Sequence, residues 1–425
     1  MKLKLVLLLA YIICYSLGAQ NEFIFGDALP DAPALAARGN YTVGVRTLEI
    51  VNENQLDILN STTEKEAFYN RDLKIEIWYP AALAEGQEEI VIYDQVMGQF
   101  GVEDRPIVPF TFKGRAARDA SIVEDENFPL VVVSHGYTGS RLLMTYLTEN
   151  LASKGYVVAA IDHKESTFTD AAGFHSTLLN RSKDILFTVD KLITHSEENG
   201  HFLYQRIQND NVGIIGYSMG GYGVLNVAGA GYSEAANTFF KQMTGGNDAF
   251  ESVMDGSTSY LQTFDSRIKA VVAFAPWGKN VGAWDSTGLS HLKIPTFLIA
   301  GDMDDISGYE NGIKSIYEGI SGTEAYLLTY KNARHNVAPN PPAPETLAKG
   351  LHFDEYYRYA EPSWDERRIN NINQHFITAF LGSKLKAEDH SKYLNVPEQS
   401  NDQNWEGFLP RTSTGMEILH KNSQE

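Results

Sequence analysis

The chain has 425 residues, of which 43% are hydrophobic and 21% are charged. This balance is typical of a folded globular protein and too apolar for a disordered one. The formal net charge is −19, and no long run of Lys and Arg interrupts the acidic excess. Because a phosphate backbone attracts clustered basic side chains, the composition argues against a nucleic-acid partner.

The first 19 residues have the pattern of a cleavable signal peptide. Lys2 and Lys4 precede an apolar run over residues 5–17, and the small residues Gly18 and Ala19 predict cleavage after Ala19. The run is shorter than the roughly 18 apolar residues of a membrane span, so a signal peptide is favoured over an anchor. No later segment is long and apolar enough to cross a bilayer. The predicted location is secreted or periplasmic.

Cys14 is the only cysteine, and it lies within the predicted signal peptide. A lipid anchor on it is disfavoured, because Ile13 occupies the place where a small residue is expected. The mature chain would then contain no thiol, which excludes disulfides, thiolate metal sites and a cysteine nucleophile. Any nucleophile must therefore be oxygen or nitrogen.

The remaining chain divides into an N-terminal segment, a core and a tail. Residues 20–125 are an extension that carries the first strands of the sheet, and the strand predicted over 73–79 alternates with period two. Residues 82–127 are polar and irregular, and predict connections around the sheet edge. Residues 386–425 are polar and predict either an ordered wrap or a loose tail.

Residues 126–385 have the pattern of an α/β catalytic core. Short apolar runs, typical of strands buried on both faces, alternate with helical stretches. This alternation predicts an α/β fold with a mostly parallel sheet. The segment 232–266 is longer than a simple connection and is a candidate lid. The predicted strands are 130–134, 156–161, 212–215, 268–274, 296–300 and 326–329, and the helices include 142–154 and 182–192.

The strongest chemical signal is the sequence Gly216-Tyr-Ser218-Met-Gly220. It directly follows the predicted strand 212–215 and precedes a helical stretch. A sharp strand-to-helix turn would expose the serine, and the glycines make that turn sterically accessible. The N-terminus of the following helix favours developing negative charge. We therefore predict that Ser218 is a nucleophile.

A serine nucleophile needs a base, and the base needs an orienting acid. In this architecture both follow the serine in chain order, after later strands. His335 lies in the loop after the last predicted core strand. Asp302, Asp304 and Asp305 all follow the strand before it. Asp304 is preferred as the acid and Asp302 comes next, while the remaining two more often serve as turn residues.

An oxyanion hole requires two backbone N–H groups. Met219, directly after the predicted nucleophile, would supply one, and Tyr137 in the loop 134–139 would supply the other. His135 in the same loop is interpreted as a structural hydrogen-bonding residue. Trp277, at a strand end, either lines the substrate pocket or serves plain packing.

Other polar and aromatic clusters are weaker signals. The run 162–165, Asp-His-Lys-Glu, could suggest a metal, but no second cluster lies at ligand spacing, so a polar loop is favoured. The aromatic stretch 353–359 is interpreted as surface or lid packing in preference to substrate contact. Phosphate-binding glycine motifs are absent. We predict that neither a metal nor an organic cofactor is needed.

These motifs resemble the serine α/β-hydrolases of the dienelactone-hydrolase-like group. Within that group the chain is most similar to bacterial cutinase-like polyester hydrolases and platelet-activating-factor acetylhydrolases. The resemblance covers roughly 125–385 and implies an α/β-hydrolase fold, with a mostly parallel central sheet, flanking helices and N-terminal antiparallel strands. The segments that carry it are Ser134–Gly139, Leu151–Asp162, Gly216–Gly221, Ala300–Ile306 and Arg334–His335.

The chain departs from two branches of that group. Dienelactone hydrolases use a cysteine where this chain has Ser218, so lactone specificity is not implied. The acetylhydrolases take their acid from the strand before, where the stretch 274–277 offers no carboxylate. Asp304 therefore follows the cutinase-like pattern.

The sequence thus predicts an exported serine carboxylic ester hydrolase that forms an acyl-enzyme intermediate. The expected partner is a small-molecule or polymeric ester, without nucleic acid or a stable membrane span. The alternatives are an acyltransferase or peptidase that uses the same three residues. A non-catalytic binding protein on a hydrolase scaffold is a further alternative, because fold alone does not fix function.

Overall fold

The computed structural model describes residues 23–423, so the predicted signal peptide and Cys14 lie outside the described residues. Eleven strands of this part form one sheet in the order β13-β12-β11-β10-β9-β7-β8-β2-β1-β5, with β6 paired to β2, and β3 and β4 form a separate hairpin. The strands are β1 Thr42–Leu56, β2 Phe68–Ala82, β3 Val91–Met97, β4 Val108–Gly114, β5 Ala117–Arg118, β6 Ser121–Ile122, β7 Phe128–Ser134, β8 Val157–Asp162, β9 Ile207–Tyr217, β10 Ile268–Phe274, β11 Thr296–Gly301, β12 Ala325–Tyr330 and β13 Met416–Lys421.

Ten α-helices accompany the sheet in the described part of the chain. They are α1 Thr145–Ser153, α2 Phe174–Glu197, α3 Met219–Val227, α4 Glu234–Thr244, α5 Thr258–Leu261, α6 Ser286–Ser290, α7 Ser315–Gly319, α8 Asp354–Tyr357, α9 Glu366–Leu385 and α10 Ser391–Leu394. Within residues 23–423, no helix combines the length and apolar character that crossing a bilayer demands.

The six central strands, β7 to β12, run parallel to one another. Their apolar residues are almost completely buried, because helices cover both faces of the sheet, whereas residues 208–211 of β9 and Lys269 of β10 are polar and partly exposed. In a parallel sheet the carboxyl ends of all strands meet at one edge, and ligands bind there. The loops after β7, β9, β11 and β12 therefore converge on one place.

The N-terminal strands extend this sheet with antiparallel pairs. β1 pairs antiparallel with β2, and β2 pairs antiparallel with β8. Together with the parallel centre they confirm the predicted α/β-hydrolase fold with N-terminal antiparallel strands. The prediction of irregular structure over 82–127 is partly wrong, because β3 and β4 pair in antiparallel register there. β3 alternates buried and exposed residues, a short period-two pattern that its polar side chains obscured in the sequence.

Two segments that the sequence left open have definite places. Within the tail, β13 pairs antiparallel with β12 at the sheet edge, and Trp405 is buried against the core, so the described tail is an ordered wrap. Within 232–266, α4 packs beside α2, and Phe240 stacks on Phe250, which in turn stacks on Tyr232. This segment is therefore fixed against the helical layer.

Candidate active site

Ser218 occupies the single residue between β9 and α3. Its backbone is left-handed at φ 54° and ψ −110°, a conformation that non-glycine residues adopt only when the surroundings impose it. A Cβ at Gly216 would collide with the carbonyl of Gly220, and one at Gly220 would collide with the carbonyl of Ser134. The Ser218 N–H donates to Phe274 O at 2.9 Å, which ties the turn to β10. The glycines thus permit the turn, as predicted.

His335 lies in the loop after β12 and contacts both other predicted residues. Its Nε2 is 2.9 Å from Ser218 Oγ, and its Nδ1 is 2.9 Å from Asp304 Oδ2. The three residues are nearly buried, although 117 positions separate Ser218 from His335. The structure therefore brings Ser218, His335 and Asp304 into one continuous chain of hydrogen bonds.

The second oxygen of Asp304 is held by the backbone. Oδ1 accepts the N–H of Ile306 at 2.9 Å and that of Ser307 at 2.7 Å. Burial opposes ionisation, but the hydrogen bond and charge of His335 and these two N–H groups outweigh it and hold the pKa of Asp304 below its usual value. An ionised carboxylate can only accept, so His335 Nδ1 carries a proton. In the neutral imidazole Nε2 is then free to accept the Ser218 hydroxyl proton.

The neighbouring aspartates have other partners. Asp302 Oδ1 accepts the N–H of Asn332 at 2.6 Å, which closes the turn after β12. Asp305 forms an ion pair with Arg334 at 2.8 Å. Of the three aspartates that the sequence left as alternatives, Asp304 alone hydrogen-bonds His335 in the described part of the chain.

The two predicted oxyanion donors flank the serine. Met219 N–H is the first amide of α3, and neither it nor Tyr137 N–H donates to a protein acceptor within residues 23–423. Gly136, which precedes Tyr137, packs against Ser218, since a Cβ there would lie 3.3 Å from the serine Cβ. Neither amide is thus engaged by the described chain, and their role as oxyanion donors stays a prediction.

A cavity of about 390 Å³ opens over Ser218 and His335. None of its lining residues comes from 232–266, and a lid role for that segment stays a prediction. Its lining also includes Arg105, Pro339 and three residues of the aromatic stretch 353–359, which are Asp354, Tyr357 and Arg358. The lining residues are Arg105, Gly136, Tyr137, Thr138, Leu143, Phe168, Tyr217, Ser218, Ile306, His335, Asn336, Pro339, Asp354, Tyr357 and Arg358.

Trp277 lies close to the serine backbone but not in the lining of this cavity. Its N–H donates to Ser218 O at 3.1 Å. Its ring packs edge-on against Phe174, with centroids 5.3 Å apart, and Phe174 packs in the same manner against Tyr137. These contacts give Trp277 a packing role, and its contact with substrate stays a prediction.

Glu361 is a neighbour of the site that the sequence did not reveal. Its two carboxylate oxygens accept the N–H groups of Arg334 and Asn336, each at 2.6 Å. It therefore brackets the backbone on both sides of His335 and fixes the loop. Burial raises the pKa of Glu361, although those N–H groups oppose the rise. The Glu361 carboxylate contacts the backbone of the His335 loop, and no sequence motif indicates such a contact. The sequence therefore could not predict it.

A buried polar network lies beneath the loop 134–139. Arg71 donates to both oxygens of Asp184, at 2.7 and 2.9 Å, and Asp184 Oδ2 lies 2.9 Å from His163 Nδ1. His163 Nε2 lies 2.8 Å from Ser134 Oγ, at the start of the loop. Arg181 supports the same loop by donating to His135 O at 2.9 Å.

The protonation states in this network follow from its geometry. Burial lowers the pKa of His163 to about 3, so its imidazole is neutral. Its Nδ1–H must then donate to the carboxylate of Asp184, and its Nε2 accepts from the Ser134 hydroxyl. His135 Nε2 accepts the N–H of His163 at 3.2 Å, so His135 Nδ1–H donates to Gly136 O at 2.6 Å. His135 is thus placed as the structural residue that the sequence predicted.

We expect Asp184→Asn to destabilise the protein by about 3–5 kcal/mol, because it leaves the buried Arg71 guanidinium without its main counter-charge. The side chains of Arg71 and Asp184 are 2% and 1% exposed. The measurement is the free energy of unfolding in urea. The matched control is Asp190→Asn on the same helix, whose side chain is 63% exposed and pairs with Arg267. That surface pair should contribute less than about 1 kcal/mol. Equal losses in the two variants would contradict the prediction.

No group of three or more His, Cys, Asp and Glu side chains suited to a metal ion occurs in the part of the chain that the structure describes. The residues of the run 162–165 have protein partners. Asp162 pairs with Arg141 at 2.5 Å, and His163 belongs to the buried network.

The fold is that of the α/β-hydrolases, and the arrangement around Ser218 resembles that of their serine members. Residues 95–239 match a family model described as PET hydrolase-like. A ferulic acid esterase from Streptomyces cinnamoneus superposes with a TM-score of 0.57 over 93% of this chain and 99% of its own, at 17% identity, which bears on the fold alone.

Curated relatives narrow the comparison to cutinase-like enzymes. Cutinase est1 of Thermobifida alba is 27% identical over 51% of this chain and 56% of its own length. A bis(hydroxyethyl) terephthalate hydrolase of Streptomyces coelicolor is 24% identical over 60% of this chain and 66% of its own. The chain spans 53% to 64% of the length of the curated cutinases that it matches. These findings confirm the predicted resemblance to cutinase-like serine α/β-hydrolases.

Proposed function

We propose that the chain is a serine carboxylic ester hydrolase that acts through Ser218, His335 and Asp304. The observation that carries this proposal is the pair of 2.9 Å hydrogen bonds that join the serine hydroxyl to the imidazole and the imidazole to the carboxylate. Ser218 stands at the floor of a cavity, where an ester can reach it. Its position at the N-terminus of α3 favours the negative charge that develops during acyl transfer.

Acylation begins when Ser218 Oγ attacks the ester carbonyl carbon and its proton passes to His335 Nε2. The carbonyl π electrons move to the oxygen, which becomes an oxyanion and accepts the N–H groups of Tyr137 and Met219. Asp304, held ionised, stabilises the imidazolium that forms. When the oxyanion collapses, the bond to the alcohol oxygen breaks, and His335 returns its proton to that oxygen. The alcohol leaves and the acyl group remains on Ser218.

Deacylation repeats these steps with water. His335 takes a proton from water, the resulting nucleophile attacks the acyl carbon, and a second oxyanion binds the same two amides. Its collapse releases the carboxylic acid and returns the proton to Ser218. The protons in this cycle move between Ser218, His335, the leaving alcohol and water.

The substrate class is proposed from the relatives. The relatives named as cutinases and as a bis(hydroxyethyl) terephthalate hydrolase support the proposal that the substrate is a carboxylic ester, in small or polymeric form. The cavity over Ser218 has a mixed lining, with Tyr137, Leu143, Phe168 and Ile306 as apolar and aromatic members. We also propose that the protein is exported to the periplasm or secreted, on the support of the charged and apolar pattern of its first 19 residues.

Purified protein should hydrolyse 4-nitrophenyl esters, with kcat/KM rising from acetate to an intermediate acyl length and falling toward decanoate. The reason is that a cavity of about 390 Å³ buries added methylenes until its length is filled. The measurement is nitrophenolate release over the series, with free acid quantified in parallel and an added alcohol present in one set. Transfer of the acyl group mainly to the alcohol would favour an acyltransferase. A folded protein without turnover of any ester would overturn the proposal.

A further inference from the structure

Two arginines line the cavity that contains Ser218 and His335. Arg105 reaches it from the loop between β3 and β4, and Arg358 follows directly after α8. The guanidinium carbon of Arg358 lies 4.9 Å from the ring centroid of Phe168, which lines the same cavity. Stacking on this ring fixes the plane of the guanidinium and leaves its N–H edges for other partners.

Three guanidinium donors of these arginines have no hydrogen-bond partner in the described part of the chain. Arg358 Nε and Nη1 are buried, and neither hydrogen-bonds to any group within residues 23–423, and the same holds for Arg105 Nη2. Buried guanidinium donors normally find acceptors, because an unpaired one forfeits its hydration without compensation. Burial accordingly lowers the pKa of Arg358. Two residues that line the cavity thus keep N–H donors that no group in the described chain accepts.

The nearby carboxylates are already engaged. Glu355 accepts Arg105 Nε and the Gly98 N–H, each at 2.7 Å, so each of its oxygens already accepts one hydrogen bond. Asp354 pairs with Arg105 at 3.3 Å and lies 3.6 Å from His352, at the outer side of the cavity. Arg358 has no ion pair with any residue that the structure describes. An anion that enters the cavity can therefore supply the acceptor that these donors lack.

We infer that Arg358, assisted by Arg105, binds a carboxylate carried by the ester substrate. A carboxylate is the ligand that matches the fork of N–H donors on a guanidinium, and it would supply the missing charge. This inference rests on the proposed ester hydrolysis and narrows its substrate class to acidic esters. The carboxylate is on either the acyl side, as in a half-ester of a dicarboxylic acid, or the alcohol side, as in an ester of a hydroxy acid.

The test compares acidic esters with their uncharged methyl esters. One arm uses mono-4-nitrophenyl adipate against methyl 4-nitrophenyl adipate, and the other uses 4-butyryloxybenzoate against its methyl ester. For each pair, the ratio of kcat/KM for the acidic ester to kcat/KM for the neutral one reports carboxylate binding alone. We expect a ratio above one in at least one arm, and the arm that shows it identifies the side that carries the charge.

Arg358→Leu should lower that ratio by about 10- to 100-fold, the range for losing charge-assisted hydrogen bonds in a buried site. Arg358→Lys keeps the charge but not the fork, so its ratio should fall between those of the wild type and R358L. The matched control is Arg206→Leu, which also removes one positive charge. Arg206 lies directly before β9, at the amino ends of the parallel strands, so this variant should keep the wild-type ratio.

Two results would overturn the inference and leave the proposed ester hydrolysis intact. One is a wild-type ratio below one in both arms, and the other is a ratio that R358L leaves unchanged. Absence of turnover on the neutral esters would instead overturn the proposed function. If R358L fails to fold, the wild-type ratio and the R358K ratio decide, because the wild-type measurement needs no variant and lysine preserves the buried charge and stem.

Discussion

Ser218→Ala is expected to lower kcat for a neutral nitrophenyl ester by about a million-fold, as loss of the nucleophile does in serine hydrolases with this arrangement. Alanine lacks the oxygen that must form the acyl-enzyme, and no other hydroxyl lies within hydrogen-bond reach of His335 in the described chain. The residual rate would come from substrate binding and the oxyanion donors alone. The measurement is single-turnover and steady-state release of nitrophenolate.

Stability separates a chemical effect from a folding effect in this experiment. Alanine keeps the Cβ that the left-handed turn already accommodates, so the thermal midpoint should stay close to that of the wild type. The matched control is Ser290→Ala, which removes a hydroxyl from α6 that donates only to Thr287 O. Turnover in S218A equal to that in S290A would assign the chemistry to another residue.

Asp304→Asn is expected to lower kcat by about ten-thousand-fold with little change in KM, because it leaves His335 in the wrong tautomer. The two backbone N–H groups of Ile306 and Ser307 hold whichever oxygen occupies the Oδ1 position. The amide nitrogen of Asn must therefore face His335 and donate to Nδ1. The imidazole then carries its proton on Nε2, where it cannot accept the proton of Ser218.

The neighbouring aspartates provide the control for this variant. Asp302→Asn retains an acceptor for the N–H of Asn332, and Asp305→Asn weakens only a half-exposed pair with Arg334. Both should keep kcat near the wild-type value. A large loss in D302N together with a small one in D304N would reverse the assignment that the geometry supports.

The lining of the cavity includes residues that the sequence did not reveal as part of the site. The aromatic stretch 353–359 has no spacing that indicates chemistry, yet Tyr357 and Arg358 line the cavity. The sequence placed the lid candidate at 232–266, because that segment is long and rich in turn residues. Its helix α4 packs beside α2, and Phe240 stacks on Phe250 there, while its lid role stays a prediction. Length and composition identify an insertion, but they do not say which surface it covers.

The sequence by itself determined the features that depend on local order along the chain. Alternating apolar strands and helices require a parallel sheet, and a parallel sheet puts the ends of its strands at one edge. Ser218 and His335 could therefore be identified as loop residues at that edge from their positions after strands. The glycines of the turn could also be recognised from the sequence, because they lie within three positions of Ser218.

Only the tertiary structure decided which residues from distant parts of the chain contact one another in the site. It placed Asp304, and neither Asp302 nor Asp305, against His335, because the direction of a side chain in a tight loop depends on which backbone amides capture it. It also put Glu361 on both sides of His335 and Arg358 in the cavity with its donors unpaired. Such contacts join residues far apart in the chain, and neither periodicity nor spacing records them.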